Sequence, residues 1–255
     1  MTSTTRPSRS RTSTTTTTTA DNKSHLLFVY GPPAVGKYTI CKTIIDMQRQ
    51  QREREEQEQL FDERGEETTT GGTQNDSKLR FQLFHNHDIV DICCQFFDFG
   101  TPGFKRLRES LWLSSFKELS NQEHYSNVTN NSMNWNCIIF TFNPECTVRP
   151  QLIKQIIDMF DIVDIVELQV SNNNIIEERL NNDSRKEFKK LTDVTLYHEI
   201  QQSGGFEFDF TSCFELQSHD ESYRNRLILS TDTQLPEISA QQIVQYVKTR
   251  RTTTF

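Results

Sequence analysis

Gly31-Pro32-Pro33-Ala34-Val35-Gly36-Lys37 sets two glycines and a lysine at the spacing G-x-x-x-x-G-K. The glycines let the backbone turn tightly and point successive N–H groups inward, forming a concavity for phosphate oxygens. A helix beginning near Gly36 would add the positive end of its dipole, and Lys37 would reach the outer phosphates as a point charge. This pattern implies a nucleoside triphosphate site, with ATP and magnesium as the expected ligands. A Gly/Pro turn carrying a surface lysine is the competing reading, and it leaves the flanking strand and helix signals unexplained. One position departs from the usual pattern. The residue after the lysine, normally Ser or Thr to bind magnesium, is Tyr38, and Thr39 comes one place later. Thr39 is thus the hydroxyl candidate for the metal.

The stretch Gly31 to Thr39 resembles the loop of the adenylate-kinase-like group, where G-x-P-G-x-G-K-x-T also places the threonine one residue late. Taken with Phe84-His85-Asn86-His87, it looks like a set of small P-loop proteins. These are related to nucleoside-monophosphate kinases, shikimate kinase and antibiotic phosphotransferases. In element order the resemblance runs from His25 to Val247, and outside the loop its motifs are loose.

The resemblance implies three further sites. An acceptor or metal site is expected after the second strand, at His85-Asn86-His87-Asp88-Ile89-Val90-Asp91. A carboxylate there can take the proton of an attacking hydroxyl or hold magnesium through water. Asp91 is the favoured candidate for both roles, and Asn86, His87 and Asp88 are expected to meet the acceptor. The same text also reads as a helix start capped by Asn86 or Asp88, and the two readings are compatible. A lid is expected at Arg179 and Arg185, which resemble the R-x5-R pair that clamps the phosphoryl group in transit. Arg179 is assigned to nucleotide binding and Arg185 to catalysis alongside Lys37. The competing reading is a solvated helix end with cations at its C-terminus. Finally, an acid is expected at the end of the third strand, yet Phe142-Asn143-Pro144-Glu145 offers none in the usual place.

These groups need a scaffold. Leu26–Tyr30 reads as a buried strand, and Ile40, Ile44, Ile45 and Met47 are spaced for one face of a helix. Further strands are expected at 79–84, 137–142, 162–170 and 226–230. Helices are expected from Asp88, over 102–119, 151–160 and 173–181, and over 236–250. Alternation of this kind predicts an α/β fold, a three-layer α/β/α sandwich around a five-stranded parallel sheet. Asp98-Phe99-Gly100 reads as an ordinary turn.

The chain has 255 residues, of which 34% are hydrophobic, low for a packed domain. Two segments account for the deficit: a Thr/Ser/Arg-rich tail over 1–24 and a charged insertion at about 50–77, both expected to be disordered. About 200 residues remain, enough for one P-loop domain over 25–250. The net charge is −7, while the first twenty residues carry Arg6, Arg9 and Arg11 and no acid. An acidic body argues against a nucleic-acid partner, and no apolar stretch suggests a membrane span. Six cysteines without a C-x-x-C pair suit a reduced, cytoplasmic setting, and the tail leaves mitochondrial import as an alternative. The Asn-x-Ser/Thr triplets at Asn127 and Asn130 are then incidental. The reading reached is an ATP-dependent kinase acting on a hydroxyl or phosphate of a small metabolite. The alternatives are an ATP-binding protein or slow ATPase without phosphotransfer, and an interaction protein acting through its low-complexity segments.

Overall fold

A computed structural model describes residues 23–62, 79–121, 137–143, 148–183, 185, 191–206, 208, 210 and 226–253. Residues 1–22 of the expected tail therefore lie outside the described residues, as do Glu145, Ser184, Lys186, Lys189 and Lys190.

Five strands form one parallel sheet: β1 (His25–Tyr30), β2 (Phe81–His85), β3 (Cys137–Phe142), β4 (Ile162–Gln169) and β5 (Leu227–Ser230). Their order is β2-β3-β1-β4-β5. β1 is flanked on both sides, with Phe28 opposite Phe140 of β3 and Ile165 of β4. Its six residues are all buried, which explains the unbroken apolar run in the sequence.

Alternate residues of the central strands feed two cores. Leu26, Phe28 and Tyr30 pack with Phe140 and Phe142 against one helical layer. That layer comprises α2 (Asn86–Cys94), α3 (Pro102–Ser120) and α4 (Pro150–Ile157), which contribute Val90, Trp112 and Ile153. Leu27, Val29 and Ile139 face the other way, toward α1 (Lys37–Asp62) and the C-terminal α7 (Pro236–Thr253). Two shorter helices, α5 (Asn173–Leu180) and α6 (Val194–Gln202), build a small third cluster through Ile176, Leu180 and Tyr197. The expected three-layer α/β/α sandwich is the observed fold.

Three local expectations need correction. Helix α1 runs to Asp62, so the insertion expected to be disordered from about residue 50 begins helical. Glu, Gln and Arg are good helix formers, and the i,i+4 pairs Arg49–Glu53 and Gln51–Glu55 support the exposed turns. Residues 63–78 lie outside the described residues.

The second correction concerns α2, which starts at Asn86 with His85 as its cap residue and no side-chain cap from Asn86 or Asp88. The Thr141 hydroxyl, opposite His85 in the sheet, accepts the Asn86 N–H at 3.3 Å and so does the work of a cap. A cap supplied by the neighbouring strand leaves no local signal in sequence.

The third is α6, for which no helix was expected. Its text, Val-Thr-Leu-Tyr-His, favours strands, and the helix rests on Asp193, whose carboxylate accepts the Leu196 N–H at 3.0 Å.

Candidate functional site

A cleft of about 790 Å³ opens at the carboxyl ends of the strands, where α/β sheets bind ligands. The loop after β1 forms its floor. Gly31 has φ +146° and Gly36 φ +98°, both outside the range ordinary side chains favour. At Gly31 a Cβ would lie 2.3 Å from the Leu168 carbonyl oxygen, so only glycine fits. Ala34, where the adenylate-kinase-like pattern has glycine, sits at φ +63°. The helix α1 begins at Lys37, and its first backbone bond is donated by Ile40 N–H to the Gly36 carbonyl at 3.0 Å.

The Lys37 ammonium donates to the carbonyls of Gly31 at 2.6 Å and Pro32 at 2.8 Å. It also lies 3.3 Å from Asn143 Oδ1, at the end of β3. A neutral carboxamide thus stands where the resemblance implied an acid.

On the β4–β5 side, Arg179 donates to Thr231 O at 2.6 Å and Thr231 Oγ1 at 3.2 Å. Thr231 is itself pinned, its hydroxyl donating to the Val35 carbonyl at 2.9 Å. Arg185 donates from Nε and Nη2 to the Leu191 carbonyl at 3.1 and 2.9 Å, and burial pushes its guanidinium pKa down. Both arginines line the cleft, and Arg179 does so from the last turn of α5. Leu196, Gln234 and Pro236 complete this wall.

On the β2–β3 side the wall carries rings. The rings of Tyr38 and His85 have centroids 4.5 Å apart, and those of His85 and His87 5.1 Å. The His85 Nδ1 is within hydrogen-bond distance of the Thr141 hydroxyl, at 2.7 Å. Asn86 is buried, and its side-chain oxygen accepts from Trp112 Nε1 at 3.1 Å, a bond that fixes the start of α2 against α3. Asp91 lines the cleft and Asp88 does not, although both are exposed on α2. The partial desolvation it still undergoes, and then the Asp91 charge one turn on, raise the Asp88 pKa. Of the two candidate carboxylates, Asp91 is the one that lines the cleft.

Every residue from Pro33 to Thr39 lines this one cleft, together with Asn86, His87, Asp91, Arg179 and Arg185. Sequence reasoning missed Thr141, Thr231 and Gln234. Thr141 and Thr231 sit at or just past strand ends, a position that marks binding residues in such sheets once the strand order is known. Asp98-Phe99-Gly100 is the expected turn, with Thr101 N–H bonded to the Asp98 carbonyl at 3.2 Å, and it brings Phe99 to the cleft's rim.

The loop fits a nucleotide's phosphates: it has a close backbone turn, a helix N-terminus and a lysine beside it. Magnesium bound with phosphates needs only one or two protein oxygens, and Thr39 and Asp91 both reach the cleft. Among the described residues no helix is long and apolar enough to cross a membrane.

No family model matches the sequence, and no curated protein does. Solved structures of similar fold include shikimate kinase from Acinetobacter baumannii in complex with shikimate. It is 13% identical, with a TM-score of 0.45 over 89% of this chain and 94% of that one. The APS kinase of Mycobacterium tuberculosis, in complex with AMPPNP and APS, is 10% identical, with a TM-score of 0.41 over 89% and 98%. A sugar kinase from Janibacter sp. HTCC2649 is 12% identical, with a TM-score of 0.45 over 88% and 95%. These are likenesses of fold, and the function is argued from the cleft itself.

Proposed function

We propose that this protein is a small-molecule kinase that transfers the γ-phosphoryl group of ATP to a small acceptor. One observation carries the reading. A single cleft gathers a phosphate-binding loop, a pair of arginines on one wall and a carboxylate on the other. Phosphoryl transfer needs positioning and charge stabilisation more than covalent chemistry, and those are the groups that supply them.

In this reading residues 31–39 hold the phosphates, with Lys37 leaving the Gly31 and Pro32 carbonyls to meet them. Arg179 holds the nucleotide from the β4–β5 side, and Arg185 meets charge on the group in transit. An acceptor hydroxyl oxygen forms a bond to the γ-phosphorus, while the bond from that phosphorus to the β,γ-bridging oxygen breaks. The electron pair of the broken bond leaves with ADP, and the hydroxyl proton passes to Asp91. Bound magnesium, reached through Thr39 and Asp91, would neutralise charge on the phosphates.

The test is acceptor-dependent ADP release from MgATP, run beside direct measurement of ATP affinity. Lys37→Ala should remove most ATP binding and leave the fold intact, since the lysine lies on the loop and outside both cores. Unchanged ATP affinity in the folded variant would sink the reading. Arg185→Ala should lower kcat about 100-fold, or roughly 3 kcal/mol, with little change in ATP affinity.

A second reading is a nucleotide-binding protein with little or no turnover. Asn143 favours it, because a carboxamide beside Lys37 cannot replace a metal-ordering carboxylate. ATP binding without ADP release under any acceptor would select this reading. The interaction-protein alternative concerns 2–20 and 50–77, and loss of partner binding on deleting them would support it.

A further inference from the structure

We propose that Thr231 is a positioning residue of the nucleotide site, whose hydroxyl sets the Val35–Gly36 peptide of the phosphate loop and holds Arg179 to the same point. The proposal rests on nucleotide binding in this cleft and deepens that half of the kinase reading.

The direction of the hydrogen bonds is fixed by the chemistry of the groups. A guanidinium only donates, so Arg179 Nη1, 3.2 Å away, gives its proton to Thr231 Oγ1. The one hydroxyl proton is left for a carbonyl, and Val35 O at 2.9 Å is nearer than Gln169 O at 3.4 Å. Arg179 Nη2 adds a second bond, to the Thr231 carbonyl at 2.6 Å. The Thr231 N–H donates to the Gln169 carbonyl at 2.9 Å, which carries the β4–β5 pairing one residue beyond β5. Thr231 is 3% exposed, so these bonds lie away from bulk water, where each is stronger and an unmade one is costly. One short side chain therefore ties the end of β5 to the loop after β1 and to the last turn of α5.

The carbonyl it fixes bears directly on phosphate binding. In a trans peptide the C=O and the following N–H point in opposite directions. A Val35 carbonyl held toward Thr231 thus turns the Gly36 N–H away from it. Gly36 sits at φ +98°, and the freedom that lets glycine adopt this angle also lets the peptide rotate unless something pins it. The Thr231 hydroxyl is that pin. Gly36 directly precedes α1, at the helix end whose backbone donors and dipole favour an anion. Arg179 is a long side chain that loses entropy when ordered, and its two bonds to Thr231 order it before a nucleotide arrives. Loop and arginine meet the nucleotide as one preorganised unit.

The experiment measures the affinity of the full chain for magnesium AMPPNP by calorimetry, with the melting temperature recorded for each variant. Thr231→Val keeps the shape and removes the hydroxyl, and it should weaken AMPPNP about tenfold. Thr231→Ser restores the hydroxyl at the expense of a buried methyl, and it should bind within about twofold of the parent. Arg179→Ala should also weaken binding. The double variant should lose less than the product of the two single losses, because residues acting as a unit do not contribute independently. Thr231→Cys, of similar volume and a much weaker donor, takes the place of the valine variant should that one not fold. Parent affinity in folded Thr231→Val would overturn the proposal and leave Thr231 as a strand-end contact alone. So would equal losses in the valine and serine variants, which would mark the methyl group, and so would fully multiplicative losses in the double variant. A parent chain that binds no AMPPNP would instead overturn the nucleotide reading, and the assignment of Thr231 with it.

Discussion

Ala34 is the one described non-glycine residue with positive φ, at +63°, and it lies in the phosphate loop. Left-handed backbone costs an ordinary residue about 1–2 kcal/mol, and glycine escapes that cost while losing some entropy on folding. Ala34→Gly should therefore stabilise the protein by up to about 1 kcal/mol, read as a shifted denaturation midpoint at constant slope. Gly31→Ala should behave oppositely. Its Cβ would strike the Leu168 carbonyl, so the fold itself should suffer more than in Gly36→Ala, where the φ of +98° is strained but the Cβ would meet only Ile40 Cδ1 at 3.8 Å. Comparable stability loss in the two alanine variants would contradict this. At this scale the loop was legible because its spacing is local. Thr141 was not, because its bonds to His85 and Asn86 join residues more than fifty positions apart.

Among the elements, the strands read well, since continuous apolar runs such as Cys137–Phe142 have few other destinies in a chain of this size. Helix α6 did not, because its composition opposes its state and tertiary contacts decide it. The Tyr197 ring packs on Phe206 with centroids 5.2 Å apart, and His198 Nε2 lies 2.9 Å from Glu177 Oε1 on α5. The turn after β5 has its own fastening. Asp232 accepts the Ser171 N–H at 3.0 Å, the Ser171 hydroxyl at 2.6 Å and the Ser230 hydroxyl at 2.8 Å. The Ser171 hydroxyl, and then that of Ser230, hold the Asp232 pKa below its ordinary value. A depressed carboxylate pKa contributes stability above the unfolded value and loses it as the pH falls through the folded one. Asp232→Ala should accordingly lower Tm at neutral pH. The gap from the parent should close as the pH drops below the ordinary carboxylate range. A gap that persists into strong acid would mean that the hydroxyl bonds do not depend on the charge.

Over the whole molecule, the cleft and a buried polar cluster around Asp164 lie at opposite ends of the sheet. The carboxyl ends carry the cleft. At the amino ends, Asp164 of β4 is buried, with Oδ2 2.9 Å from His25 Nε2 and Oδ1 3.2 Å from Arg250 Nε. This trio ties β1, β4 and α7 together, three segments that are far apart in the chain. Its residues looked unremarkable in sequence, because only the strand pairing sets them side by side. The alternation of strands and helices made the parallel sheet legible, but not which strand ends would share a cleft. Removing Asp164 takes the hydrogen-bond partner from a buried His25 and the counter-charge from a partly exposed Arg250, at a cost of about 1–3 kcal/mol. Asp164→Ala should show a loss of that order in chemical denaturation. His25 opens β1 and Tyr30 closes it, so the trio lies roughly 17 Å from the phosphate loop at the usual rise per residue. The folded fraction of the variant should bind ATP with the parent's affinity. If affinity falls with stability, the two ends of the sheet are coupled, and the cleft depends on packing well beyond the residues that line it.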